Sequence, residues 1–165
     1  MNIRPTITIS ILPHLADFLR KEFCTTKQDE IILTRRNDIG KLISSMVLTS
    51  DLPVTRPFCE HPVKLLLPVT KNNHYILNSR YLYVSQWGEE KIQDFVSSEF
   101  RRRVRDMFEL GYKKHYPQKQ IIEGILKGYN LRDNALNFDM IKKIDYRNSV
   151  NFRKSVFADI QNAEY

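Results

Sequence analysis

Two cysteines, five glycines and no long apolar run remove several classes of protein from consideration. Cys24 and Cys59 are too few for a disulfide framework, and in a chain without a secretory leader they read as two reduced thiols. Cys59-Glu60-His61 supplies at most part of a metal-ligand set. No second Cys or His pair stands at finger-like spacing, so no metal site is expected. The scarce glycines form no phosphate-cradling loop, and neither a nucleophile elbow nor a paired acidic motif is present. His14, His61, His74 and His115 are scattered, with no readable nucleophile–base grouping. A non-enzymatic protein without a cofactor is the expectation. No stretch approaches the roughly 20 apolar residues that cross a bilayer, and Met1-Asn2-Ile3-Arg4-Pro5 lacks the apolar core of a signal peptide. The expected location is therefore cytoplasmic, away from membranes.

What is present is an ordinary globular composition, 42% hydrophobic and 27% charged over 165 residues. The net charge of +7 is unevenly placed. Residues 101–165 hold 14 Lys and Arg against 8 Asp and Glu, whereas residues 1–100 are nearly balanced at 12 against 11. A one-sided basic half suggests an anionic partner, or else a set of solvated helix faces.

The first eighty-six residues read as a small α+β body, a scaffold or assembly domain. Thr6 to Leu12 alternates, with Ile7, Ile9 and Ile11 on one face, as in a half-buried strand. Pro13 suits the first turn of a helix reaching about Phe23, with Leu15, Phe18, Leu19 and Phe23 as its buried stripe. A polar loop over residues 25–29 precedes a strand from Glu30 to Thr34. Arg35-Arg36 reads as a solvated strand end, with phosphate contact as the alternative. Asn37 is placed to cap a second helix reaching about Leu48, with Asp38 favourable at its positive end. Pro53, Pro57 and Pro62 exclude long regular structure between Thr49 and Pro62. Val63–Leu67 and Asn78–Val84 then read as strands able to pair across the turn Lys71-Asn72-Asn73-His74. The expected order is strand-helix-strand-helix-strand-strand, helices packed on a small mixed sheet.

From Trp87 onward the pattern is helical. Ser85 is the expected N-cap of a long helix, Glu89 to Tyr112, whose apolar residues Ile92, Phe95, Val96, Phe100, Val104, Met107, Phe108 and Tyr112 recur every three or four positions. Such a helix extends on the order of 35 Å at 1.5 Å per residue, long for a small body. The segment 87–116 is therefore expected to connect the halves and to form a homodimer along its seam. Arg101, Arg102 and Arg105 fall largely off that seam, with Arg103 bordering it. They are candidates for phosphate contact, their alternative being solvation with helical pairs such as Arg105 with Glu109.

Residues 117–165 form the expected nucleic-acid-binding unit. A helix from about Gln118 carries Ile121, Ile122, Ile125 and Leu126, and Gly124 inside it invites close approach of another helix. Gly128 is expected to end it in the left-handed conformation. A further helix, with Asp133 and Asn137 as rival caps, places Ile141, Ile144, Phe152 and Val156 on one side. Lys142, Lys143, Tyr146, Arg147, Arg153 and Lys154 fall on the other, and residues after Val156 are expected to fray. Lys143 and Arg147, one turn apart, could both enter a major groove, where Arg can bridge guanine acceptors.

The run Ile121-Ile122-Glu123-Gly124-Ile125-Leu126-Lys127-Gly128-Tyr129-Asn130-Leu131 resembles the first helix and turn of helix-turn-helix DNA-binding proteins, within a likeness spanning residues 118–148. Gly124 matches the family's small helix-crossing residue, Gly128 its turn glycine and Leu131 an apolar turn residue. The chain departs from the pattern at Asn134 and Asn137, near which the family carries a buried Val or Ile. The resemblance implies a double-stranded DNA partner, as for a transcriptional regulator or a mobile-element accessory factor. The residues alone also accommodate an adaptor whose basic half binds an acidic protein.

Overall fold

In the computed structural model, residues 4–55 and 59–163 are described, with side chains described through 149. Pro57 lies outside the described residues, as do the side chains of Phe152, Arg153, Lys154 and Val156. The fold is mixed α+β, and it divides into two compact units, Met1–Ser98 and Glu99–Tyr165.

The first unit is built around β5 (Pro62–Leu66). On one side β5 pairs antiparallel with β1 (Thr6–Ser10), Thr6 opposite Leu66 and Ser10 opposite Pro62. On the other it pairs parallel with β3 (Ile31–Ile32), which turns back onto β2 (Cys24–Thr25), giving the order β1-β5-β3-β2. The alternation of β1 predicts its burial: Ile7, Ile9 and Ile11 are all in the core. Helix α1 (Pro13–Glu22) starts at its proline and buries Leu15, Ala16, Phe18 and Leu19, with Phe23 buried just beyond its end. Asn37 caps α2 (Asp38–Ser45), its side-chain oxygen accepting from the Gly40 amide at 2.8 Å.

Four elements differ from the sequence expectation. Cys24–Thr25 is a strand, tied to β3 through the Thr26 hydroxyl, which accepts from the Gln28 and Glu30 amides at 3.2 Å. Helix α2 stops at Ser45 because Val47–Ser50 leaves it as β4, pairing antiparallel with β6 (Tyr81–Val84) in a separate two-stranded sheet. The expected hairpin between residues 63–67 and 78–84 does not form, since β5 and β6 each have another partner. Between them His74–Ser79 is a short helix, α3, that buries no residue.

Helix α4 (Gln86–Lys113) contributes residues to both units. The Ser85 hydroxyl accepts from the Gly88 amide at 3.1 Å, the expected cap, and Glu89 in the first turn accepts from the Ser10 amide at 3.1 Å. Ile92, Val96, Phe100, Val104 and Phe108 repeat at four-residue intervals and are all buried. The second unit adds α5 (Gln118–Gly128) and α6 (Ala135–Ala163). Its core gathers Phe100, Val104 and Phe108 with Ile121, Ile122, Ile125, Leu126, Tyr129, Leu131, Ile141 and Ile144. Phe100 and Tyr129 meet edge to face, ring centroids 5.8 Å apart. The expected fraying after Val156 is not seen, as helix continues to Ala163.

Candidate nucleic-acid interface

The turn between α5 and α6 is set by asparagines, not by the glycines. At the end of α5 the Leu131 amide donates to the Leu126 carbonyl at 2.9 Å and the Asn130 amide to the Lys127 carbonyl at 3.2 Å. This is the Schellman pattern, with Asn130 as its left-handed residue at φ 56°. Asparagine tolerates that conformation because its short polar side chain bonds locally. Gly128 stays helical, which corrects its expected role as the left-handed cap. Asn134 caps α6, its side-chain oxygen accepting from the Asn137 amide at 2.8 Å, in place of both rivals Asp133 and Asn137. Asn137 instead donates to the Arg132 carbonyl at 2.8 Å.

Nor does Gly124 mark a helix crossing. A Cβ built there meets nothing within 4 Å. The close approach lies at Gly111 near the end of α4, where a Cβ would come within 2.6 Å of the Ile121 side chain. Its signal in the sequence is a glycine ten residues before an isoleucine across the bend at Pro117. The helix-turn-helix resemblance thus rests on glycines that play other parts.

A carboxylate holds the three helices in register. Asp145 of α6 accepts from the Tyr112 hydroxyl of α4 at 2.7 Å and from the Gln118 side-chain amide of α5 at 2.6 Å. Desolvation of the Tyr112 hydroxyl, then its hydrogen bond to Asp145 and that residue's negative charge, push the phenol up to about 12. Asp145 thereby turns core-ward, leaving the opposite side of α6 to cations. Ile141 and Ile144 are buried, while Lys142, Lys143, Tyr146 and Arg147 are exposed, Tyr146 to 67%. Among the described residues Lys142, Lys143 and Arg147 form no ion pair. Arg153 and Lys154 belong to the same helix, and their side chains lie outside the described residues.

The arginine block of α4 divides. Arg101 is exposed. Arg102 is engaged by its own helix, with Glu99 at 2.7 Å and Asp106 at 3.7 Å. Arg105 is half-buried and its Nε is enclosed without a hydrogen-bond partner; the expected pair with Glu109 is not formed. Arg105 precedes Tyr112 by two helical turns and shares the flank that reaches α6 through Asp145. Arg105 is thus less accessible than Arg101 and Arg102. Of the α4 seam expected to pair with a second copy, Ile92, Val96, Phe100, Val104 and Phe108 are buried within a single chain, whereas Phe95 is half-buried and Met107 and Tyr112 are exposed. On α4 beyond Arg105, Met107, Leu110 and Tyr112 remain exposed, at 36%, 55% and 43%.

Among the described residues no three His, Cys, Asp or Glu side chains gather where they could hold a metal ion. No described helix is long and apolar enough to cross a membrane. Cys24 is exposed, Cys59 half-buried, and both are free thiols. Compared with protein-family models, curated proteins and solved structures, the chain matches none.

Proposed function

We propose that the protein is a non-enzymatic DNA-binding protein of the regulator or accessory-factor kind, which docks on duplex DNA through the outer face of α6. One observation carries this reading. Ile141 and Ile144 anchor the helix in the core while Lys142, Lys143, Tyr146 and Arg147 stand together in solvent, the three cations forming no ion pair among the described residues. Four-residue spacing puts Lys143 and Arg147 on adjacent turns of one face. A rigid helix presenting cations in this way can lie along a groove, Arg to guanine acceptors and Lys to phosphates. Arg101 supplies a further exposed charge from α4. The reading requires only one copy of the chain.

The test is duplex binding by fluorescence anisotropy at several salt concentrations, for the wild type and the double variant Lys143→Ala/Arg147→Ala. Weaker binding with a shallower salt dependence and unchanged helicity supports the reading; wild-type affinity in the double variant rejects it.

A second reading, an adaptor for an acidic protein segment, is favoured by a specific groove. Met107, Leu110 and Gly111 of α4 and Ile121, Gly124 and Ile125 of α5 line an open hollow of about 600 Å³. Lys114 and Lys127 also line it. Glu123 there faces Lys119 at 3.8 Å, which reduces its repulsion of an acidic ligand. Gly124→Leu fills this hollow without touching α6, so it separates the two readings: lost peptide binding with intact DNA binding identifies the groove as a distinct surface.

A further inference from the structure

Sheet register assembles a second cationic site, in the first unit, from residues far apart in sequence. Strands β3 and β5 run parallel, so both chains leave the sheet at the same end, Ile32 opposite Leu66. The chain after β3 carries Leu33, Thr34, Arg35 and Arg36; the chain after β5 carries Leu67, Pro68, Val69, Thr70 and Lys71. β1 is antiparallel to β5, so its beginning lies at that same end, and the Leu67 amide donates to the Pro5 carbonyl at 2.9 Å. Arg4 is thereby delivered to the same place. The three segments enclose an open cleft of about 870 Å³, lined by Arg4, Arg35, Arg36, Lys71 and His74 together with apolar residues that include Leu33, Leu67, Pro68 and Val69.

The lining contains four permanent cations and no carboxylate. Arg4, Arg35, Arg36 and Lys71 form no ion pair among the described residues. The nearest acid in sequence, Asp38, is held by Lys41 at 3.1 Å. Four like charges lining one concavity raise the local positive potential, which favours an anion there.

The walls are also built. Gly40 lets the first turn of α2 lie against Thr34, since any Cβ at that position would overlap the Thr34 carbonyl. The loop bearing Lys71 is closed by Asn73, whose side-chain oxygen accepts from the Thr70 amide at 2.6 Å and whose amide donates to the Pro68 carbonyl at 3.3 Å. The His74 ring is held through Nδ1 at 2.8 Å from the Lys71 carbonyl.

We propose that this cleft binds the oligophosphate chain of a small ligand, a nucleoside polyphosphate or an inorganic oligophosphate. A duplex backbone spreads its charge along an extended surface, whereas this site converges four cations on one hollow. The volume falls within the roughly 300–1,000 Å³ typical of small-ligand pockets. Arginine forks match phosphate oxygens two at a time, and Lys71 adds a mobile point charge. Val69, exposed on the cleft lining, offers apolar surface to a nucleoside.

The experiment uses the full chain and a fluorescent nucleoside triphosphate, displaced by unlabelled nucleoside triphosphate, by inorganic tripolyphosphate, by the bare nucleoside, or by duplex DNA. Both phosphate-bearing small molecules are expected to displace the probe and the bare nucleoside is not. Stronger displacement by the nucleotide than by tripolyphosphate assigns a contribution to the base; equal displacement assigns the site to the phosphate chain alone. Arg35→Ala/Arg36→Ala and, separately, Lys71→Ala are expected to weaken binding by at least about tenfold, the effect of losing a charged hydrogen-bond partner. The charge-matched control Lys27→Ala/Lys64→Ala is expected to bind as the wild type, and circular dichroism establishes that each variant is folded. Absence of probe binding by the wild type overturns the proposal, as does binding that survives in the folded cleft variants. Displacement by duplex DNA alone overturns it too. Duplex binding through α6 is expected to persist in the cleft variants, so the two sites fail or stand separately.

Discussion

Gly111 of α4 lies so close to Ile121 of α5 that a methyl group on the glycine would fall 2.6 Å from the Cδ1 and Cγ1 atoms of the isoleucine. Gly124, one helix further on, faces open space. The same substitution is therefore expected to act in opposite directions at the two sites. Gly111→Ala overpacks a buried contact and is expected to cost about 1–3 kcal/mol. Gly124→Ala sits inside a helix with room for its methyl and is expected to stabilise by up to about 1 kcal/mol. Hydrogen exchange of the α5 amides reads both; equal effects would refute the packing described.

The start of α2 depends on one side chain and one missing one. Asn37→Ala removes the hydrogen bond to the Gly40 amide and is expected to lower stability by about 1 kcal/mol in urea unfolding. Gly40→Ala is expected to do more damage, because the new methyl must displace backbone at Thr34. A Gly40→Ala protein as stable as the wild type would contradict that close approach.

Tyr112 links the second unit to alkaline pH. Its phenol titrates near 10 when unfolded and about 12 when folded, so the folded state holds the proton more tightly. Stability from this group is full below pH 10 and is lost as pH rises from about 10 to 12. The difference in tyrosinate absorbance between the wild type and Tyr112→Phe should show one phenol titrating late. Unfolding midpoints of the wild type should fall more steeply over this range than those of Tyr112→Phe. A Tyr112 whose ionisation is not raised would disprove the tie to Asp145.

For the outer face of α6, the slope of log affinity against log salt is the sensitive quantity. Each phosphate contact contributes about 0.9 to it on duplex DNA, so Lys143→Ala/Arg147→Ala is expected to reduce the slope by roughly 2 where both residues contact phosphate, and by less where Arg147 faces a base. Asp145→Asn alters the anchoring side of the same helix and is expected to leave the slope unchanged.

Elements whose stability is local were legible in the sequence. The alternation of Ile7, Ile9 and Ile11, the proline start of α1, the Asn37 cap and the four-residue repeat of α4 all rest on neighbours within a few positions. Elements defined by a distant partner were not. Val47–Ser50 reads as the end of a helix until Tyr81–Val84 pairs with it, and Cys24–Thr25 reads as loop until β3 turns back. Burial on α6 follows the 100° spacing, so the exposed face around Lys143 and Arg147 was legible. The cleft was not, because residues 4, 35, 36 and 71 share no local pattern and meet only through strand register.

Placing β5 at the centre of its sheet also sets an order of events during folding. Without residues 62–66, β1 has no partner in this sheet and β3 has only β2, so residues 1–60 hold α1, α2 and the β2–β3 pair but no completed main sheet. Closing Thr6 onto Leu66 carries the entropy of a long loop, whereas the contacts of α5 with α6 are short-range. Pairing of β1 with β5 is therefore expected to be the slower event, and variants that weaken the Thr6–Leu66 end of that ladder are expected to slow refolding of the first unit more than of the second.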